Sequence, residues 1–136
     1  MLNDEKTIYL VDDDDDDRMI ISQAVHQLMG NVNIIEFSSG FEFLDRVLGQ
    51  QPSQQTLVLM DINMPRVSGL EVITAMRLDP SCKHLPILAI STATDPGLID
   101  KLIASGASGY FEKPASFEQV TQLANDINDF YVSHYR

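Results

Sequence analysis

The chain has 136 residues, 44% of them apolar and 21% charged, which fits one domain spanning residues 1–136 and excludes a disordered tail. A formal charge of −11 and a pI near 4.4 oppose contact with nucleic acid or anionic membrane, so direct DNA binding is not expected and cationic partners or divalent metals are. No apolar run approaches the roughly 20 residues of a membrane helix, the start at Met1–Lys6 has no secretion-signal pattern, and the lone Cys82 cannot form an internal disulfide, so the expected compartment is the cytoplasm.

Five short apolar runs rich in branched residues punctuate the sequence. The first, Thr7 to Val11, leads into six consecutive aspartates, Asp12 to Asp17. A helical pattern follows, with Met19, Ile20, Ala24 and Leu28 expected on its inner face. The second run is Asn33 to Phe37. After it, Ser39-Gly-Phe-Glu42 has the form of a capping box, opening a helix whose apolar positions are Phe41, Leu44, Val47 and Leu48. The glutamine-rich Gln50 to Gln55 reads as an exposed loop. The third run, Thr56 to Met60, ends in Asp61. Ser68-Gly-Leu-Glu71 then opens a third helix with Leu70, Ile73 and Met76 inward. The fourth run, Ile87 to Ile90, is followed by Ser91 and Thr92, and Asp95-Pro96 starts a helix carrying Leu98, Ile99, Leu102 and Ile103. The fifth, Gly109 to Phe111, precedes Lys113-Pro114. A last helix opens at Ser116-Phe-Glu-Gln119 and carries Val120, Leu123, Ile127 and Phe130. Runs that are apolar throughout suit strands covered on both faces. Five strand–helix repeats predict an α/β, doubly wound parallel sheet with a core of about residues 7–131.

In open parallel sheets the chemistry sits at the carboxyl ends of the strands. Asp12 and Asp13 follow the first strand and point toward that crevice. The later acids near Asp16 and Asp17 suit helix capping and the first turn, where they complement the helix dipole. Asp14 and Asp15 are expected to be exposed and without a role. An ordinary solvated charge run is the competing account, weakened by its position. Asp61 closes an apolar strand that should lie beside the first. Three carboxylates brought together repel one another, and a hard divalent cation such as Mg2+ relieves that repulsion through oxygen ligands. A hydroxyl after the fourth strand can donate to an oxyanion, and Lys113 after the fifth can grip a phosphoryl group. Pro114 restricts Lys113 to extended geometry, or could hold a cis bond that aims it inward. The combination describes metal-assisted phosphoryl transfer onto a carboxylate. His26, His84 and His134 have no ligand spacing and are expected at the surface.

The segments Ile8-Tyr-Leu-Val-Asp-Asp13, Asp61-Ile-Asn-Met-Pro65 with Gly69, Ser91, Gly106-Ala107 and Tyr110-Phe-Glu-Lys-Pro114 resemble the receiver domains of two-component response regulators. The interval from Ser91 to Lys113 favours Ser91 over Thr92 as the matching hydroxyl. The resemblance implies a (βα)5 flavodoxin-like fold with strand order 2-1-3-4-5. It further implies that Asp61 accepts a phosphoryl group from a histidine kinase or a histidine phosphotransfer protein. Asp13, Asp61 and the Asn63 backbone carbonyl would bind Mg2+ directly, with Mn2+ able to substitute, and Asp12 would act mainly through a water. Lys113 would pair with the phosphoryl group, Ser91 would hydrogen-bond it, and Tyr110 would turn inward and change the surface made by the fourth helix, fifth strand and fifth helix. Such a protein is no ordinary enzyme; it assists its own phosphorylation and dephosphorylation. Its output is contact with a target protein or a phosphorelay, and a homodimer through the last helix is a further option. Ser68 stands where the family often has aspartate. Thr92 stands where alanine is frequent; with Ala93 and Asn63 it lines the mouth and is expected to modulate hydrolysis. Three rivals fit less well. A phosphatase of the haloacid-dehalogenase type, using Asp12 and Asp14, leaves Asp61 to Pro65 unexplained. Flavodoxin-like FMN binding is opposed by the aspartate run, and a non-phosphorylated pseudo-receiver by the intact acid set.

Overall fold

The computed structural model describes residues 5–92 and 95–135. The chain alternates β1 (Lys6–Val11), α1 (Asp15–Met29), β2 (Asn33–Phe37), α2 (Gly40–Val47), β3 (Gln55–Asp61), α3 (Gly69–Leu78), β4 (Ile87–Ser91), α4 (Pro96–Ser105), β5 (Gly109–Glu112) and α5 (Phe117–His134). The five strands form one parallel sheet in the order β2-β1-β3-β4-β5, the predicted flavodoxin-like architecture. Gln55, expected in a loop, is instead the first residue of β3.

Each face of the sheet has its own core. On one face Ile8, Leu10, Leu57, Leu59, Leu88 and Ile90 pack against Ile21 and Val25 of α1 and Leu123, Ala124, Ile127 and Tyr131 of α5. The other face buries Val11, Val58, Met60, Ile87 and Ala89 against α2, α3 and α4. The period-two alternation of each strand supplies both faces, which is why β3 and β4 are apolar almost throughout. Edge strands β2 and β5 are only partly covered, so the expectation of two buried faces holds for β3 and β4, and for β1 beyond its first residue.

Three helices expose apolar residues that their periodicity places inward. In α1 Met19, Ile20 and Leu28 are exposed, while Ile21 and Val25 are buried and Ala24 and Met29 partly so. In α2 Phe41 is exposed and Phe43 takes the inner place, edge-on to Phe37. Ile103 of α4 is likewise exposed and Leu102 buried. A helix with apolar residues on two sides does not identify its inner side, and the sheet selects it.

Helix starts are set locally. Ser39, Ser68, Asp95 and Ser116 all cap through their side chains, and Ser68 with Glu71 closes a reciprocal capping box. Cys82 is buried, and the three histidines are exposed. No helix among the described residues is long and apolar enough to cross a membrane.

Candidate functional site

The parallel register gathers the strand ends into one crevice. Val11 pairs with Met60, Asp61 with Ile90, and Ser91 with Glu112. The residue after β1 is therefore level with the end of β3, and Lys113 emerges beside Ser91. Three backbone bonds pin these exits: Asp12 N–H donates to the Phe37 carbonyl (3.1 Å), Ile62 N–H to that of Ile90 (3.0 Å), and Lys113 N–H to that of Ser91 (2.9 Å).

Carboxylate oxygens of Asp12, Asp13 and Asp61 lie within 4.8 Å of one another. Asp12 and Asp61 are almost fully buried, at 2% and 3% exposure, while Asp13 faces solvent. Lys113 Nζ reaches two members of this group and one acid beyond it. It stands 3.1 Å from Asp12, 3.5 Å from Asp61 and 2.9 Å from Asp17. Burial pushes the Asp61 carboxyl up to about 7, with the Asp12 charge adding and Lys113 opposing. The Lys113 ammonium is held above its usual value, because its pairing with Asp17, Asp61 and Asp12 outweighs the cost of burial. One ammonium does not neutralise this many acids. The cluster offers hard oxygen donors, two of them dry, at a spacing that fits a small divalent cation.

The loop after Asp61 is shaped for close approach. Gly69 starts α3 against it; a Cβ there would sit 2.6 Å from the Asp61 carbonyl oxygen and 2.8 Å from Ile62 Cα. Gly69 N–H donates to the Ile62 carbonyl at 3.2 Å. Arg66 in the same loop adopts a left-handed φ of 69°, a strained value for a non-glycine residue. Asn63 N–H donates to Asp61 Oδ1 (3.2 Å). Ser91 is buried, and its hydroxyl donates to Asn63 Oδ1 at 2.6 Å. The side-chain link between Asn63 and Ser91 had no signal in the sequence, which pointed to the Asn63 backbone carbonyl and to a place for Asn63 at the mouth.

The aspartate run divides differently from its expected split. Asp14, to which no role fell, is the N-cap of α1 and accepts from Asp17 N–H at 2.9 Å. Asp15 pairs with Arg18 (2.7 Å), which also donates to the Asp12 carbonyl and holds Glu36. Asp16 is exposed in the first turn, and Asp17 reaches Lys113. In a run of identical residues only the start of the helix decides which carboxylate faces where, and the sequence does not mark that start. Lys113–Pro114 contains no cis bond, and none occurs among the described residues. Tyr110 is half-buried on β5 against the core that α4 also joins. Thr92 is exposed at the end of β4; Ala93, its companion at the expected mouth, lies outside the described residues.

The family model of the response regulator receiver domain matches residues 8–125. The polar-differentiation response regulator DivK of Brucella ovis is 29% identical over 111 residues, covering 82% of this chain and 86% of that protein. The probable methanogenesis regulatory protein FilR2 of Methanothrix harundinacea is 25% identical over 133 residues, covering 95% and 85%. A crystal structure of a response regulator receiver domain from Rhodospirillum rubrum superposes with a TM-score of 0.84 at 23% identity, covering 93% of this chain and 94% of that one. The phosphorylated cyanobacterial phytochrome response regulator RcpA does so with 0.82 at 25% identity, covering 96% of each. Receiver domains of this family are signalling modules of two-component systems that bind Mg2+ at an acidic pocket. With its strand ends gathered around an acidic cluster and the family model matched over residues 8–125, this chain belongs to the response regulator receiver domain family.

Proposed function

We propose that Asp61 accepts a phosphoryl group from a phosphohistidine of a sensor histidine kinase or a histidine phosphotransfer protein, in a step that requires Mg2+. The observation that carries this reading is the buried Asp61 carboxylate held between Asp12, Asp13 and the Lys113 ammonium, 3.5 Å away. In the transfer a carboxylate oxygen of Asp61 bonds to phosphorus while the bond to the imidazole nitrogen breaks. Asp13, Asp61 and the Asn63 backbone carbonyl would hold Mg2+ directly and Asp12 through a water; Mn2+ has the same donor preference. Bound there, the ion would supply positive charge to offset that of the incoming phosphoryl group. Lys113 grips the phosphoryl oxygens with its ammonium.

Ser91 would leave Asn63 and donate to the new phosphoryl group. Tyr110 would turn inward behind it, altering the surface of α4, β5 and α5. Phosphorylation adds charge and acceptor oxygens at one point, and two packings a few kcal/mol apart suffice for it to select between them. The output is then an altered contact with a target protein, or onward transfer to another histidine. Thr92 at the crevice mouth would modulate the lifetime of the phosphorylated form. That a relative of the same architecture is known as a phosphorylated protein supports the reading.

The test is mass spectrometry of the intact chain after exposure to acetyl phosphate, with and without Mg2+. The expected result is one phosphoryl group, mapped to Asp61 and absent without metal. Labelling elsewhere, or no labelling at all, would overturn the assignment.

A further inference from the structure

The carboxylate closest to Lys113 is not one that the proposed chemistry uses. Nζ lies 2.9 Å from Asp17, against 3.1 Å from Asp12 and 3.5 Å from Asp61. Asp17 belongs to the first turn of α1, where its backbone is fixed by the Asp14 cap. Its side chain is 41% exposed, whereas that of Lys113 is 11% exposed. The ammonium thus sits between two buried acids and one at the surface, and the shortest contact draws it toward α1 and away from Asp61.

We propose that Asp17 is a positioning residue that holds the Lys113 ammonium toward α1 and competes for it with the group carried by Asp61. This rests on the reading of Asp61 as phosphoacceptor. With acetyl phosphate as donor, a bond forms between an Asp61 oxygen and phosphorus, the donor's acyl oxygen–phosphorus bond breaks, and acetate leaves with that electron pair. Asp61 then carries additional charge and acceptor oxygens, and the preferred place of the ammonium moves toward them. That movement weakens the contact with Asp17. Asp17 therefore stabilises the unphosphorylated arrangement relative to the phosphorylated one. It makes the switch harder to set and quicker to reset, and it does so through one lysine.

The test titrates beryllofluoride, an analogue of the bound phosphoryl group, into the full chain at saturating Mg2+ by calorimetry. Wild type is compared with Asp17→Asn, Asp17→Glu and Asp16→Asn. Asp16 is exposed in the same helical turn and controls for loss of charge alone. Asp17→Asn is expected to bind about two- to fivefold more tightly, the scale of a partly exposed ion pair. Asp17→Glu should restore wild-type affinity, and Asp16→Asn should match wild type. After brief acetyl phosphate treatment, the phosphorylated form of Asp17→Asn should also persist longer than that of wild type.

An Asp17→Asn variant that binds no more tightly overturns the proposal. So does an equal gain in Asp16→Asn, which would make the effect one of bulk charge. A glutamate behaving as asparagine also counts against it, since one more methylene leaves the carboxylate within reach of Lys113. If wild type takes neither beryllofluoride nor a phosphoryl group, the phosphoacceptor reading fails and this inference with it. If wild type takes both and Asp17→Asn is indistinguishable from it, this inference alone fails.

Discussion

At Asp61 the fold holds a carboxyl group where its ionised form is least welcome, dry and against Asp12. Its ordinary value of 3.8 rises to about 7, so folding favours the protonated group. The sign follows from linkage: this contribution to stability is full below about pH 4 and is lost as pH rises through about 7. Metal-free protein in EDTA should therefore lose on the order of 3 kcal/mol across that window from this one residue. Asp61→Asn, which cannot ionise, should melt higher than wild type at pH 8 and show a flatter profile; thermal melts of both proteins from pH 4 to 8 check this, and parallel profiles would mean that Asp61 is not the source. The same unneutralised charge makes millimolar Mg2+ stabilising, because the ion binds the folded cluster and not the dispersed acids of the unfolded chain. At about a hundredfold excess over its dissociation constant it should raise Tm by about 5 °C or more at pH 8. Asp61→Asn, lacking one ligand, should gain much less. Equal melting of wild type with Mg2+ and with EDTA would show that the cluster holds no metal.

The passage from β3 into α3 separates two kinds of local design. Ser68 and Glu71 close the capping box at the start of α3, and Ser68→Ala should cost about 1 kcal/mol through the lost cap. It should leave acetyl phosphate labelling intact, since the cap does not touch the crevice. Gly69 lies against the end of the strand that bears Asp61. Gly69→Ala would drive a methyl group into the Asp61 carbonyl and Ile62, with a cost of about 2 kcal/mol from overpacking. Because the displaced backbone carries Asp61, labelling should fall as well; denaturant melts with labelling rates distinguish the two variants. These elements were readable from the sequence because caps, branched strands and strand-end acids depend on near neighbours. The inner face of α1 was not. Met19 and Ile20 are as apolar as Ile21 and Val25, and only contact with the sheet and α5 chooses between them. The ion pair of Asp17 with Lys113 and the bond of Ser91 with Asn63 were hidden for a related reason. Both join separate elements, and each depends on helical phase or loop path, which composition does not encode.

For the molecule as a whole, the charge of −11 is not spread indifferently. Asp12 and Asp13 belong to the crevice, Asp17 reaches its lysine, and Asp14 to Asp16 follow at the start of α1, with Arg18 and Lys113 as cations paired among them. An anionic small donor such as acetyl phosphate must approach Asp61 through this field. At 0.15 M ionic strength the field is screened over about 8 Å, and at 0.01 M over about 30 Å. Repulsion therefore reaches a donor well outside the crevice at low salt and only at its mouth at moderate salt. With Mg2+ kept saturating, the rate of labelling by acetyl phosphate should rise about twofold or more between these conditions. Phosphoramidate, which carries less negative charge, should respond less. An attractive encounter, such as that with a basic surface on a donor protein, would respond in the opposite direction, so the sign of the salt effect separates a field that repels the donor from one that gathers it. A labelling rate independent of salt for both small donors would mean that bound Mg2+ and Lys113 already cancel the acidic run at the crevice. The charge would then serve the solubility of the chain and have no part in the approach of the phosphoryl group.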